Sequence, residues 1–208
     1  MNFLCTGEKM TMRIDNIIDS AVKGMMTVTI ADKVIDKIEN VYNIILTETK
    51  VVRIILDKIV RKCGRFKLSV DLGCGEGKYW LKYYSDYIIG VDHNKYQLET
   101  ARMRYDEVVL KDIRKFRIPD YCDSIFMFQS IEHIPKEDGI RIIKNSGDRF
   151  MLITTPSRFV EFAQDHHVTL YTKSELESLG FKVLELYLPI YGNLVAVKRE
   201  WKGGKIID

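Results

Sequence analysis

Apolar side chains recur at helical spacing through the first 64 residues and at the spacing of buried strands and short helices thereafter. In residues 31–46 they fall at Val34, Ile35, Ile38, Val41, Tyr42 and Ile45, the stripe of one amphipathic helix. Val51, Val52, Ile55, Ile59 and Val60 form a second stripe, with Thr47 or Thr49 to cap its start and Lys62 and Gly64 to stop it. Ile14, Ile17, Ile18 and Val22 predict a further short helix. Residues 25–30 suit helix or extended chain equally.

Beyond Gly64 the spacing predicts strands at 68–72, 87–91, 107–110, 124–128 and 150–154, with helices at 78–85, 95–105 and 136–144 between them. Strands alternating with helices run parallel through crossovers, so the sheet is covered on both faces. The rhythm then changes. A helix at 173–179 stops at Gly180, and strands at 181–188 and 194–199 are joined by Pro189, Ile190, Tyr191, Gly192 and Asn193. So short a connection makes those two strands antiparallel neighbours. The expected fold is α/β, a mostly parallel sheet ending in an antiparallel C-terminal hairpin. Residues 1–64 form a helical N-terminal extension of the core at 65–208.

Composition narrows the class. A chain of 208 residues, 46% hydrophobic and 29% charged, builds one compact domain. Lys+Arg 32 against Asp+Glu 29 leaves a charge of +3, too mild for a general nucleic-acid coat. No apolar run reaches the length of a membrane span, and the first nine residues lack the apolar core of a secretory signal. Cys5, Cys63, Cys74 and Cys122 include no C-x-x-C pair, which argues against a disulfide framework or a cysteine zinc site. A cytoplasmic protein is expected.

The most informative stretch is Val70-Asp71-Leu72-Gly73-Cys74-Gly75-Glu76-Gly77, between the first strand and the helix expected from Lys78. Glycines there let the backbone turn sharply and approach a ligand closely. The dinucleotide pattern G-x-G-x-x-G fails, because Lys78 stands at its third glycine; the phosphate loop G-x-x-x-x-G-K-[ST] fails on spacing. What remains is a carboxylate, Asp71, beside a G-x-G-x-G loop, which would repel a pyrophosphate and suits a cationic ligand. The next strand ends in Asp92, where an acid can accept from both hydroxyls of a ribose. Asp112 follows the third strand, and Gln129-Ser130-Ile131-Glu132-His133-Ile134 follows the fourth.

With these residues in place, the chain from about Lys67 to Arg199 resembles the class I S-adenosylmethionine-dependent methyltransferases, within them the small ubiquinone/menaquinone-biosynthesis-like group. The late pattern His167-Val168-Thr169-Leu170-Tyr171-Thr172, then Glu175-Leu176 and Gly180-Phe181, is similar to that family as well. The turn Asn145-Ser146-Gly147-Asp148 departs from it, lacking the usual glycine pair. The resemblance implies a Rossmann-like sheet of seven strands ordered 3-2-1-4-5-7-6. It implies S-adenosylmethionine as cofactor, its methionine half wrapped by Asp71, Gly73, Cys74, Gly75 and Gly77. Asp92 would bind the ribose with His93 beside the adenine; Asp112 and Ile113 would meet the ring; Gln129 and Ser130 would face the sulfonium. His133 is the candidate base, and a structural histidine is its rival role.

The implied activity is methyl transfer to oxygen, nitrogen or carbon of a small molecule. A methyltransferase acting on RNA or a protein side chain, or a cofactor-binding module without catalysis, are the alternatives. The basic run Lys111, Arg114, Lys115 and Arg117 around Phe116 is the support for RNA. Tyr79, Trp80, Tyr83 and Tyr84 read as packing. The N-terminal helices would cover the cofactor, line the acceptor pocket or form a dimer interface. Glu132 and His133 with Asp165, His166 and His167 resemble in part the E-x-x-E-H metal pattern of small-RNA 2′-O-methyltransferases. Gln129 replaces its first glutamate, and no metal ligand is assigned.

Overall fold

The computed structural model describes residues 38–157, 167–186 and 192–198. The helix expected at 14–22, the segment 25–30, Asp165, His166 and the connection 189–191 lie outside the described residues. The first described element is one helix, α1 (Ile38–Cys63), where two were expected. Thr47 and Thr49 do not break it. No glycine or proline occurs within it, and a threonine in a helix costs only about 0.5 kcal/mol relative to alanine. Gly64, at φ +88°, ends it in the left-handed conformation that stops helices.

Seven strands follow: β1 (Phe66–Leu72), β2 (Ser85–Asp92), β3 (Glu107–Leu110), β4 (Ser124–Phe128), β5 (Phe150–Pro156), β6 (Phe181–Leu186) and β7 (Asn193–Lys198). They form one sheet in the order β3-β2-β1-β4-β5-β7-β6, the order implied by the resemblance. The first five are parallel, and β7 lies antiparallel to both β5 and β6. Alternation along the strands gives the sheet two apolar faces. Phe126 and Phe128 of β4, with Phe150 of β5, meet Ile55, Ile59 and Val60 of α1 on one face. Ile125, Met127, Met151 and Ile153 meet Ile142, Ile143 and Leu176 on the other. Phe66 stacks on Phe150 at 5.1 Å between ring centres. Among the described residues, no helix is long and apolar enough to cross a membrane.

Two local departures bear on the site. The expected helix at 78–85 is a 3₁₀ turn, Tyr79–Tyr83. Its aromatic residues are weak helix formers, and Ser85 is drawn into β2, where its hydroxyl meets that of Ser69 at 2.5 Å. Helix α2 (Lys95–Ala101) stops short of the expected 105, so Tyr105 leaves the helix and its ring packs beneath the glycine loop. Asn94 caps α2, accepting from the amides of Tyr96 and Gln97; Asp92, which could have served as cap, is engaged elsewhere. Two further helices, α3 (Lys136–Asn145) and α4 (Lys173–Ser178), fall within a residue of expectation, the latter with a Thr172/Glu175 capping box.

Candidate active site

Gly73, Gly75 and Gly77 follow β1 with φ of +72°, +55° and +79°, a conformation that side chains with a Cβ resist. At Gly73 a Cβ would overlap the side chain of Ser130, whereas at Gly75 its nearest neighbour would be Gln97 Oε1 at 3.5 Å. The amides of Gly73 and Cys74 donate to Val91 O, and Arg104 donates to Gly77 O at 2.8 Å. Beneath the loop, Tyr105 Oη donates to Asp71 Oδ2 at 2.6 Å and accepts from the Lys78 amide at 2.7 Å. Gly90 in β2 makes room for that ring, since a Cβ there would stand 2.6 Å from Tyr105 Cδ2.

Asp71 is 1% exposed, and its Oδ1 has no hydrogen-bond partner among the described residues. Burial pushes its carboxyl up to about 6 against the pull of Lys78 and Tyr105. Asp92 accepts from the Gly75 amide through Oδ2 and from the Asn94 amide through Oδ1, both at 2.8 Å. Each oxygen keeps a second lone pair for a further donor. His93 is exposed beside it, Nδ1 3.5 Å from Asp92 Oδ1. Cys74 is buried, and its desolvated thiol is pushed well up, so it stays a protonated packing group.

Asp112 stands at the expected place but is paired with Arg114, whose Nε donates to both carboxylate oxygens. Those bonds hold its carboxyl down to about 2. Ile113 is buried beside it. The basic run is correspondingly less free than its sequence suggests. Arg114 is tied to Asp112, Arg117 lies 3.4 Å from Asp120, and Phe116 packs against the core.

At the end of β4, Gln129 adopts a φ of +53°, rare for a side chain of its size. Its amide donates to Thr154 O and its Nε2 to Asn193 Oδ1, so the side chain is committed to β7. Ser130 donates to Leu72 O at 2.7 Å, bringing the β4 exit against the glycine loop. A 3₁₀ turn, Ile131–His133, follows. His133 is exposed, and Glu132 is 1% exposed, its two oxygens lacking an aligned hydrogen bond among the described residues. Burial pushes the Glu132 carboxyl up to about 8. The rings of His133 and His167 meet edge to face at 4.9 Å. No metal ligand is assigned from sequence, yet Glu132, His133 and His167 each bring a donor atom within 4.8 Å of the others'.

Sequence reasoning missed Tyr105 and Arg104, because their contacts reach back 27 to 34 residues. It also missed the Asp112–Arg114 pair, which two-residue spacing could have signalled. The remaining groups fit S-adenosylmethionine: an orphaned buried carboxylate oxygen for an ammonium group, a Cβ-free cradle at Gly75, and an acid at the end of β2. All three gather where the strand order reverses between β1 and β4, the place where open α/β sheets bind ligands.

This fold and loop are similar to those of the class I S-adenosylmethionine-dependent methyltransferases. Residues 70–146 match the family model described as a methyltransferase domain. That stretch thus carries a methyltransferase domain, an enzyme domain for which S-adenosylmethionine is the implied cofactor. Among curated proteins the sequence matches none. Among solved structures it is similar to an S-adenosylmethionine-dependent methyltransferase from Clostridium acetobutylicum ATCC 824, with a TM-score of 0.55 at 14% identity, covering 72% of this chain and 89% of that one. A methyltransferase from Archaeoglobus fulgidus gives 0.53 at 17% identity, over 74% of this chain and 94% of that one. Magnesium protoporphyrin IX methyltransferase from Synechocystis PCC 6803, with bound SAH, gives 0.54 at 14% identity, over 90% and 98%.

Proposed function

We propose that this chain methylates a small-molecule acceptor, at oxygen, nitrogen or carbon, bound beyond the ends of β1 and β4. The observation that carries the reading is the junction of Asp71, the left-handed glycines and Asp92, an arrangement suited to a cationic amino-acid tail and a ribose. The Synechocystis relative is named for methylating magnesium protoporphyrin IX, which supports a small acceptor here.

Bound S-adenosylmethionine supplies a methyl group made electrophilic by the sulfonium. Asp71 Oδ1 would receive the ammonium group, and the spare lone pairs of Asp92 the ribose hydroxyls. Ser130 locks the β4 exit against the loop, fixing the direction from which an acceptor reaches the methyl. His133, exposed three residues on, can take a proton from a hydroxyl or amine. The pairing of Arg114 and Arg117 with aspartates, and the packing of Phe116, weaken the case for an RNA acceptor.

Calorimetric titration of the folded protein with S-adenosylhomocysteine tests the reading. One saturable site per chain is expected, abolished by Asp92→Ala. Absence of uptake by cooperatively folded protein would overturn it.

A further inference from the structure

We propose that Glu132, His133 and His167 hold one divalent transition-metal cation, and that this ion receives an oxygen of the methyl acceptor. The three donor atoms lie within 4.8 Å of one another. Ligands on opposite sides of one ion stand about 4 Å apart, twice a bond of roughly 2.1 Å, so modest side-chain rotation closes the set.

The cluster is built from two distant parts of the chain, and the backbone fastens them together. Val168 and Thr169 both donate their amides to Glu132 O, at 2.9 and 3.1 Å. The Thr169 hydroxyl donates to Ile134 O at 2.7 Å and is itself buried. These bonds bring the segment after His167 onto the 3₁₀ turn and set the imidazoles edge to face.

Glu132 is the second, independent observation. A carboxylate 1% exposed, with no aligned donor and no Lys or Arg ion pair among the described residues, is costly unless it is neutralised or coordinates a metal. Once a cation displaces the carboxyl proton, one carboxylate and two neutral imidazoles carry a net charge of −1, complementary to a dication. Mixed nitrogen and oxygen donors suit zinc, manganese, iron or cobalt better than magnesium or calcium, which prefer oxygen throughout.

Three protein ligands leave coordination positions open. His133 follows Ser130, which touches the glycine loop, by three positions, so the Cα atoms of the two residues stand within about 11 Å of each other. The acceptor half of the proposal rests on the methyl-transfer reading and names the acceptor class as an alcohol or phenol. Coordination lowers the pKa of a hydroxyl. Its oxygen bonds to the methyl carbon as the carbon–sulfur bond breaks, the electron pair stays on sulfur, and the hydroxyl proton leaves to water. His133 is then a ligand, and no free base is needed.

The test uses full-length protein stripped with a chelator and titrated separately with manganese, cobalt and zinc chlorides. Calorimetry follows each, and the visible absorption of bound cobalt reports its ligand field. One ion per chain is expected. Glu132→Gln and His167→Ala should each weaken binding at least tenfold, roughly the minimum for losing a ligand's support, while both variants still unfold cooperatively and bind S-adenosylhomocysteine. Failure of the wild type to bind all three ions saturably, or undiminished binding by both variants, would overturn the site. S-adenosylhomocysteine uptake without metal binding sinks the site alone. Metal binding without that uptake leaves the site standing and sinks the acceptor role with the methyl-transfer reading.

Discussion

Tyr105 joins Asp71 to the glycine loop through a single phenol, 2.6 Å from the carboxylate and 2.7 Å from the Lys78 amide. Tyr105→Phe removes both bonds, keeps the ring's packing, and leaves a buried carboxylate without its donor. The loss should be about 1–3 kcal/mol of stability, read from urea unfolding with an unchanged denaturant slope. S-adenosylhomocysteine binding should weaken as well, because the loop loses an anchor.

Asp71 should also make stability depend on pH with an unusual sign for an aspartate. Its folded value is raised to about 6 from 3.8, so the folded state holds its proton more tightly than the unfolded chain. Its contribution is therefore fully present below 3.8 and lost as pH rises through 6. Asp71→Asn, neutral throughout, should gain relative to the parent between pH 4 and 6. A difference between the two unfolding curves that stays flat over this range would refute the assignment. Ligand binding should show the opposite trend, since an ammonium group favours the ionised form: affinity in the parent falls below pH 6, at most about tenfold per unit.

The glycines of the loop separate stability from binding. Gly73→Ala forces both a left-handed alanine and an overlap with Ser130, so a loss of about 2–5 kcal/mol is expected. Gly75→Ala meets Gln97 Oε1 at an ordinary 3.5 Å and should cost only about 1–2 kcal/mol. Its effect should fall instead on S-adenosylhomocysteine affinity. Thermal unfolding alongside calorimetry would distinguish the two patterns.

Exchange of His133 for alanine should lower turnover about a hundredfold or more while cofactor affinity stays within roughly twofold. Equal loss of both would assign the imidazole a structural role. The measurement is a steady-state assay of S-adenosylhomocysteine release set beside a binding isotherm.

Much of this architecture was legible in the chain because parallel strands place their C-terminal ends on one edge. Acids at the ends of apolar runs, such as Asp71, Asp92 and Asp112, were therefore readable as lying along one edge of the sheet. Periodicity failed where a single residue decided the backbone. Residues 95–105 carry a helical pattern throughout, yet the helix ends at Ala101 and Tyr105 serves the loop. The continuous helix across Thr47 and Thr49 shows the converse, a cap signal overridden because no glycine or proline enforces it. Long-range pairs were beyond any local pattern. Val168 and Thr169 reach Glu132 through backbone bonds 36 and 37 residues apart in sequence, carrying His167 with them, and Gln129 reaches Asn193 across 64.

The bare backbone at Gly90 ties a strand interior to distant chemistry. A methyl group there would collide with the Tyr105 ring and with Cys74 Sγ, 2.9 Å away, dislodging the phenol from the acid it steadies. Positions 90 and 105 can thus drift only in concert: an innocuous-looking alanine in mid-sheet would be felt as a loosened hold on the ligand's amino-acid tail, several bonds removed from the change itself.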